Sequence, residues 1–166
     1  MSRIIACLGW GSLCWDARDL PLAGTWSEDG PILPVEFARV SADRRITLVL
    51  TDARDGVRVL WAPLDVRTMD EAVCALGHRE GIDAPFTAIG RYPASGEASP
   101  YLEIIGVWAE SKGLAGVVWT ALKPGLDRKG RGSVPSLQQL RTEPPRVCRR
   151  RWVVSHAAIS SLLAAA

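Results

Sequence analysis

No Cys-x-x-Cys pair occurs in the sequence. The four cysteines, Cys7, Cys14, Cys74 and Cys148, stand at irregular intervals in apolar or strand-like surroundings. That spacing argues against a secreted disulfide framework and against the tight ligand pairs of a structural zinc site. Reduced, buried thiols and a cytoplasmic location are expected. An excess of charge is missing too: 20 basic against 18 acidic residues give a formal charge of +2, so no global field points to nucleic acid or an anionic membrane. Long apolar runs are also absent. The terminal "AAISSLLAAA" falls short of the roughly 18 residues that a membrane span needs, and glycine breaks the apolar start too early for a signal peptide. No repeat or low-complexity tract is visible. The expected partner is a small molecule, with neither nucleic acid nor membrane.

What is present is material for a core. At 166 residues and 48% hydrophobic content, one compact domain spanning 1–166 is expected. Strand-like runs dominate: 3–8, 33–41, 45–51, 57–64, 101–110, 115–122 and 149–155. Asp52–Gly56 and Ser111–Gly113 have the length and composition of hairpin loops and imply antiparallel pairing. The clearest helix is "TMDEAVCALGHRE", with Thr68 and Glu71 as a capping box and Met69, Val73 and Leu76 on one face, expected to fray at Gly77. Shorter helices are expected at Pro135–Thr142 and from His156 onward. The fold class is therefore α+β: a small, mixed, mostly antiparallel sheet or barrel with flanking helices. The stretches 90–100 and 123–134, rich in Gly, Pro and charge, read as loops.

Several constellations have a bland reading beside the sharp one. Cys74 and His78 share a helical face and offer two metal ligands, which His156 or Cys7 would have to complete; a buried thiol beside a surface imidazole is the simpler account. As a nucleophilic pair they lack a third, orienting group. Neither metal nor cofactor is expected. The Arg149–Arg151 run suits gatekeeping of an edge strand better than a nucleic-acid stripe, and "KGRG" at 129–132 either clamps an anion or keeps a loop mobile. Seven tryptophans are many for this length. Trp61, Trp108 and Trp119 fall within strand runs and read as core or barrel-wall residues.

Two features fit one another. In "GWGSLCWD", Gly11-Ser12 follows an apolar strand directly, and a turn there can aim successive backbone N–H groups at one carboxylate while glycine lets the ligand approach. Glu80 lies just past Gly77, where the helix is expected to give way to a loop, so its carboxylate can project into a pocket and shuttle protons. On residues alone, a plain turn and a solvated glutamate remain open.

"LGWGSLCW" resembles the amino-terminal signature of the gamma-glutamylcyclotransferase-like superfamily, and "ALGHREGI" resembles that family's segment around its catalytic glutamate. Their order and separation agree, and "GPILPVEFARVSADRRITLVL" between them is similar to the family's next stretch. The resemblance covers about the first half of the chain. It implies a small mixed barrel with flanking helices, no cofactor, and release of 5-oxoproline from a gamma-glutamyl group. It further implies that Trp10, Gly11, Ser12 and Leu13 hold the substrate's alpha-carboxylate, that Arg39 supports the anchored carboxylate, and that Glu80 is the general acid/base. Trp10 stands where tyrosine is usual, and the aromatic that commonly follows the glutamate is absent unless Phe86 or Tyr92 replaces it.

Such chemistry needs few residues. The alpha-amine of a gamma-glutamyl compound attacks its own gamma-carbonyl, so the cost is holding the reactive conformer and removing an ammonium proton. The nucleophile belongs to the substrate, and no Ser, Cys or His arrangement is required. A noncatalytic module that binds gamma-glutamyl or amino-acid-like molecules on the same fold is the alternative. Another amide or amine-transfer reaction using the same carboxylate is a third reading.

Overall fold

A computed structural model describes residues 4–41, 46–52, 55–94 and 101–125. In chain order the elements are β1 (Ile5–Gly9), α1 (Ser12–Trp15), β2 (Ile32–Leu33), β3 (Val35–Val40), β4 (Ile46–Leu50), β5 (Val57–Arg58) and β6 (Leu60–Leu64). They continue with α2 (Met69–Glu80), α3 (Pro85–Ala88), β7 (Ile89–Tyr92), α4 (Leu102–Ser111) and β8 (Gly116–Thr120). The fold is α+β with mostly antiparallel pairing. The chain divides into two compact units, Met1–Leu33 with Arg58–Leu122, and Pro34–Val57 with Lys123–Ala166.

The first unit is built on a four-stranded sheet in the order β6-β1-β8-β7. β1 is buried along its whole length, as a near-continuous apolar run should be when both faces of a central strand are covered. It pairs antiparallel with β6, Ile5 opposite Leu64 and Gly9 opposite Leu60, and parallel with β8, Ile5 opposite Gly116. β7 closes the other side of β8 in antiparallel register. Among the described residues this sheet is open rather than closed into a barrel. α2 packs on β1, β7 and β8, and α4 on β7 and β8. Cys7, Leu13, Leu64, Val73, Leu76 and Val118 meet in the core between them. No helix among the described residues is long and apolar enough to cross a membrane.

α2 starts at the expected cap, with Glu71 reaching back one residue further than a strict capping box, to Arg67 rather than Thr68. Thr68 Oγ1 accepts from Glu71 N–H at 3.2 Å, and the Glu71 carboxylate reaches back to the Arg67 N–H at 2.7 Å. It does not fray at Gly77. Gly77 is buried, and a Cβ there would come within 2.4 Å of Pro85 Cβ, so this glycine serves the close approach of α3 rather than breaking the helix. The helix ends instead at Gly81, whose φ of 66° is left-handed, with Gly81 N–H on His78 O and Ile82 N–H on Gly77 O. That pair of bonds is a Schellman closure.

The segment 101–110 is a helix, not the expected strand. Its buried residues are Ile105, Gly106 and Ala109, while Ile104 and Val107 face water. A spacing of four along a buried stripe is helical; the apolar residues on both sides had masked it. Ser111–Gly113 is accordingly the end of α4 rather than a hairpin loop, with Gly113 and Leu114 repeating the Schellman bonds to Glu110 and Ala109. Nor does Asp52–Gly56 join a hairpin among the described residues, because β4 pairs with β3, the strand before it. Gly90–Tyr92, expected in a loop, belongs to β7. Trp119 is buried in β8 as expected, but Trp108 lies on α4, edge-to-face with Trp61 at 5.5 Å.

In the second unit β3 and β4 pair antiparallel with a register shift between Phe37 and Arg39. Gly125 bridges to this pair through Val40 N–H and Ala38 O, both at 2.9 Å. The expected strand at 149–155, the helices at 135–142 and from 156, "KGRG", Arg149–Arg151, Cys148 and His156 lie outside the described residues.

Candidate functional site

The strand that opens the sequence runs out at Gly9, where any side chain would collide with the Trp26 ring. Trp10 is half-buried. Gly11 then adopts φ 58°, ψ −135°, a conformation open to glycine and hardly to any other residue. This kink turns the chain straight into α1, where Leu13 is buried and Ser12 exposed. Cys14 N–H closes on Gly11 O at 3.2 Å and Asp16 N–H on Ser12 O at 3.0 Å. The two glycines around Trp10 thus have separate local roles. The first glycine admits Trp26 and the second supplies the kink.

Glu80 is the last residue of α2, not a loop residue beyond a break. Its side chain is 20% exposed and is ion-paired with Arg79, Nη1 to Oε1 at 2.6 Å. The Arg79 side chain is only 4% exposed. Its Nε donates to the carbonyl of Asp16 at 3.2 Å, and Nη2 donates to the same oxygen. One guanidinium therefore joins Glu80 to the residue that closes α1. On the exterior, Arg18 Nη1 donates to the Arg79 carbonyl at 3.4 Å. Exposed ion pairs are worth about 0–1 kcal/mol, whereas removing one partner of a buried pair costs about 3–5 kcal/mol; the burial of Arg79 sets this contact nearer the second case.

Two thiols lie in the same neighbourhood. Burial pushes Cys14 up to about 12, with Arg79 pulling the other way. Burial, with Cys14 and Glu80 adding to it, raises Cys7 further. Both shifts favour the protonated thiol at neutral pH, the less nucleophilic form. Cys74 and His78 are exposed on α2, and among the described residues no group of three or more His, Cys, Asp or Glu could hold a metal ion. No family model, curated protein or solved structure matches the chain.

The expected residues thus separate into two sets. Trp10, Gly11, Ser12, Leu13 and Glu80 belong to the first compact unit, and Arg79 ties the α1 end of that set to Glu80. Arg39 belongs to the second, where its Nη1 donates to Lys123 O at 3.0 Å and its carbonyl accepts from Thr47 Oγ1. A depression of about 330 Å³ lies at the opposite, N-terminal end of α2, lined by Ile5, Arg67, Thr68, Met69, Pro93 and Ala115. None of the expected residues lines it. Sequence reasoning passed over Arg79 and Asp16. A signal for Arg79 was there: Val73, Leu76 and Arg79 recur every three residues, which puts the arginine on the buried stripe of α2.

Proposed function

We propose that the protein is a gamma-glutamylcyclotransferase-like enzyme that releases 5-oxoproline from a gamma-glutamyl amine or peptide, without a cofactor. The observation that carries this reading is the shared guanidinium of Arg79, which links the end of α1, opened by the Gly11-Ser12 turn, to Glu80. A second point supports it. A carboxylate at the C-terminal end of a helix opposes the helix dipole, and an arrangement that costs stability locally is characteristic of functional positions.

In this reaction the backbone N–H groups of the Gly11–Leu13 turn hold the alpha-carboxylate of the substrate, with Trp10 beside them. The alpha-ammonium lies against Glu80, which takes its proton. The freed amine attacks the gamma-carbonyl, Glu80 returns its proton to the departing nitrogen as the carbon–nitrogen bond breaks, and the second proton shed by the ring nitrogen leaves with the departing amine as its ammonium. The anchor lowers the cost of the reactive conformer, and the carboxylate lowers the cost of the proton transfer. Closure into the family's small barrel is part of the same proposal.

A noncatalytic module that binds gamma-glutamyl or amino-acid-like molecules is the second reading, favoured by the fact that Glu80 already has an ionic partner. Assay of the purified protein against a panel of gamma-glutamyl amines and peptides decides between them. Stoichiometric 5-oxoproline supports the enzyme. Binding of the same compounds without turnover supports the module.

A further inference from the structure

We infer that Arg79 is the positioning residue of this site, setting which carboxylate oxygen of Glu80 works and how far it stands from the carboxylate-binding turn. The inference rests on the reading of Glu80 above. Adjacent residues on a helix do not face one another, so a glutamate following a buried arginine would ordinarily point its carboxylate to water. Here it bends back instead and places Oε1 on Arg79 Nη1. Among the described residues no hydrogen bond is made to Oε2, which leaves that oxygen for a substrate ammonium. The other face of the guanidinium, through Nε and Nη2, holds the Asp16 carbonyl, and Asp16 in turn closes the single turn of α1 on Ser12 O. Turn, arginine and carboxylate form one hydrogen-bonded chain, Ser12–Asp16–Arg79–Glu80.

Planarity matters in this chain. A guanidinium engages two acceptors in fixed directions at once, whereas an ammonium is a point charge that cannot set their separation. Lysine at this position keeps the charge and loses the spacing. Arg79 does not touch the substrate in this scheme; it acts through Glu80 and the turn.

The test compares the native protein with Arg79→Lys, Arg79→Ala and Glu80→Gln, reading kcat and KM on the most active gamma-glutamyl compound and thermal stability for each. A misplaced carboxylate is expected to lower kcat of Arg79→Lys about 100-fold, while KM moves by less than about threefold because the turn still binds. Methylguanidinium at millimolar concentration is expected to restore part of the activity of Arg79→Ala and none of that of Glu80→Gln. That rescue separates positioning from a general loss of fold, since an unfolded variant is not restored by a small cation. Native kcat in Arg79→Lys overturns the inference and leaves the enzyme reading intact, as does lost activity in Arg79→Ala that methylguanidinium fails to restore. A native protein that turns over no gamma-glutamyl compound overturns the enzyme reading itself, and this inference with it.

Discussion

At the scale of single residues, Ser12 and Glu80 test the proposal most directly. Ser12 is the first residue of α1, a position where proline fits because its missing N–H is not needed within the helix. Ser12→Pro therefore removes one backbone N–H from the turn with little disturbance of the chain. If that N–H holds a substrate carboxylate, affinity measured by calorimetry should fall by about tenfold to a hundredfold, the worth of a hydrogen bond to a charged group. Ser12→Ala, which keeps the N–H, should bind nearly as the native protein does. Glu80→Gln keeps an oxygen for Arg79 and loses the proton acceptor, so folding and binding should persist while turnover drops by roughly 10² to 10⁴. Native turnover in this variant would remove Glu80 from the mechanism.

At the scale of elements, α2 and α4 explain what the sequence disclosed and what it hid. The start of α2 was legible because a capping box is a local signal, set by Thr68 and Glu71 alone. Its end was not, because the role of Gly77 depends on Pro85 folding back against it, and nothing at position 77 announces that contact. Replacing Gly77 by Val should destabilise the protein by about 1–3 kcal/mol, the usual cost of overpacking, as read from the denaturant midpoint. A neutral effect would mean that α3 simply shifts away. α4 was misread because its apolar residues on both sides suit either period, and only the packing on β7 and β8 selects the helix. The candidate site divides the same way: the Gly11-Ser12 kink and Glu80 were recognisable as motifs, whereas Arg79 matters through Asp16, a partner 63 positions away in the sequence. At the outer end of α4, Asp29 accepts hydrogen bonds from Lys112 and Trp61, while its carbonyl accepts from Trp108 at 3.0 Å. The bonds from Lys112 and Trp61 hold the Asp29 carboxyl below its ordinary 3.8. A depressed carboxyl contributes its stability above the unfolded value and loses it as pH falls through the folded one. The part of the acid-induced change in tryptophan fluorescence that reports on Trp61 and Trp108 should therefore appear only below about pH 4, and it should be smaller in Asp29→Asn.

For the whole molecule, the half-buried Cys14 thiol sets a limit on the alkaline side. The folded protein holds Cys14 at about 12 against an ordinary 9.0, so the unfolded chain gives up that proton first. The sign is that of a raised group: its contribution is complete below pH 9 and is lost as pH climbs toward 12. Stability measured by denaturant should decline across that interval, and the decline should be shallower in Cys14→Ala. An identical slope in the two proteins would show that the thiol ionises as freely in the fold as outside it. The arrangement of the sheet carries a different consequence, one of timing. β1 is made well before its parallel neighbour β8, which begins only at Gly116. Until that segment emerges, an apolar strand with one unpaired edge must wait beside β6, and parallel pairing across so long a loop is slow to close. Over that interval the nascent chain is exposed to edge-to-edge association through its own buried strand. A strand made early is thus shielded late.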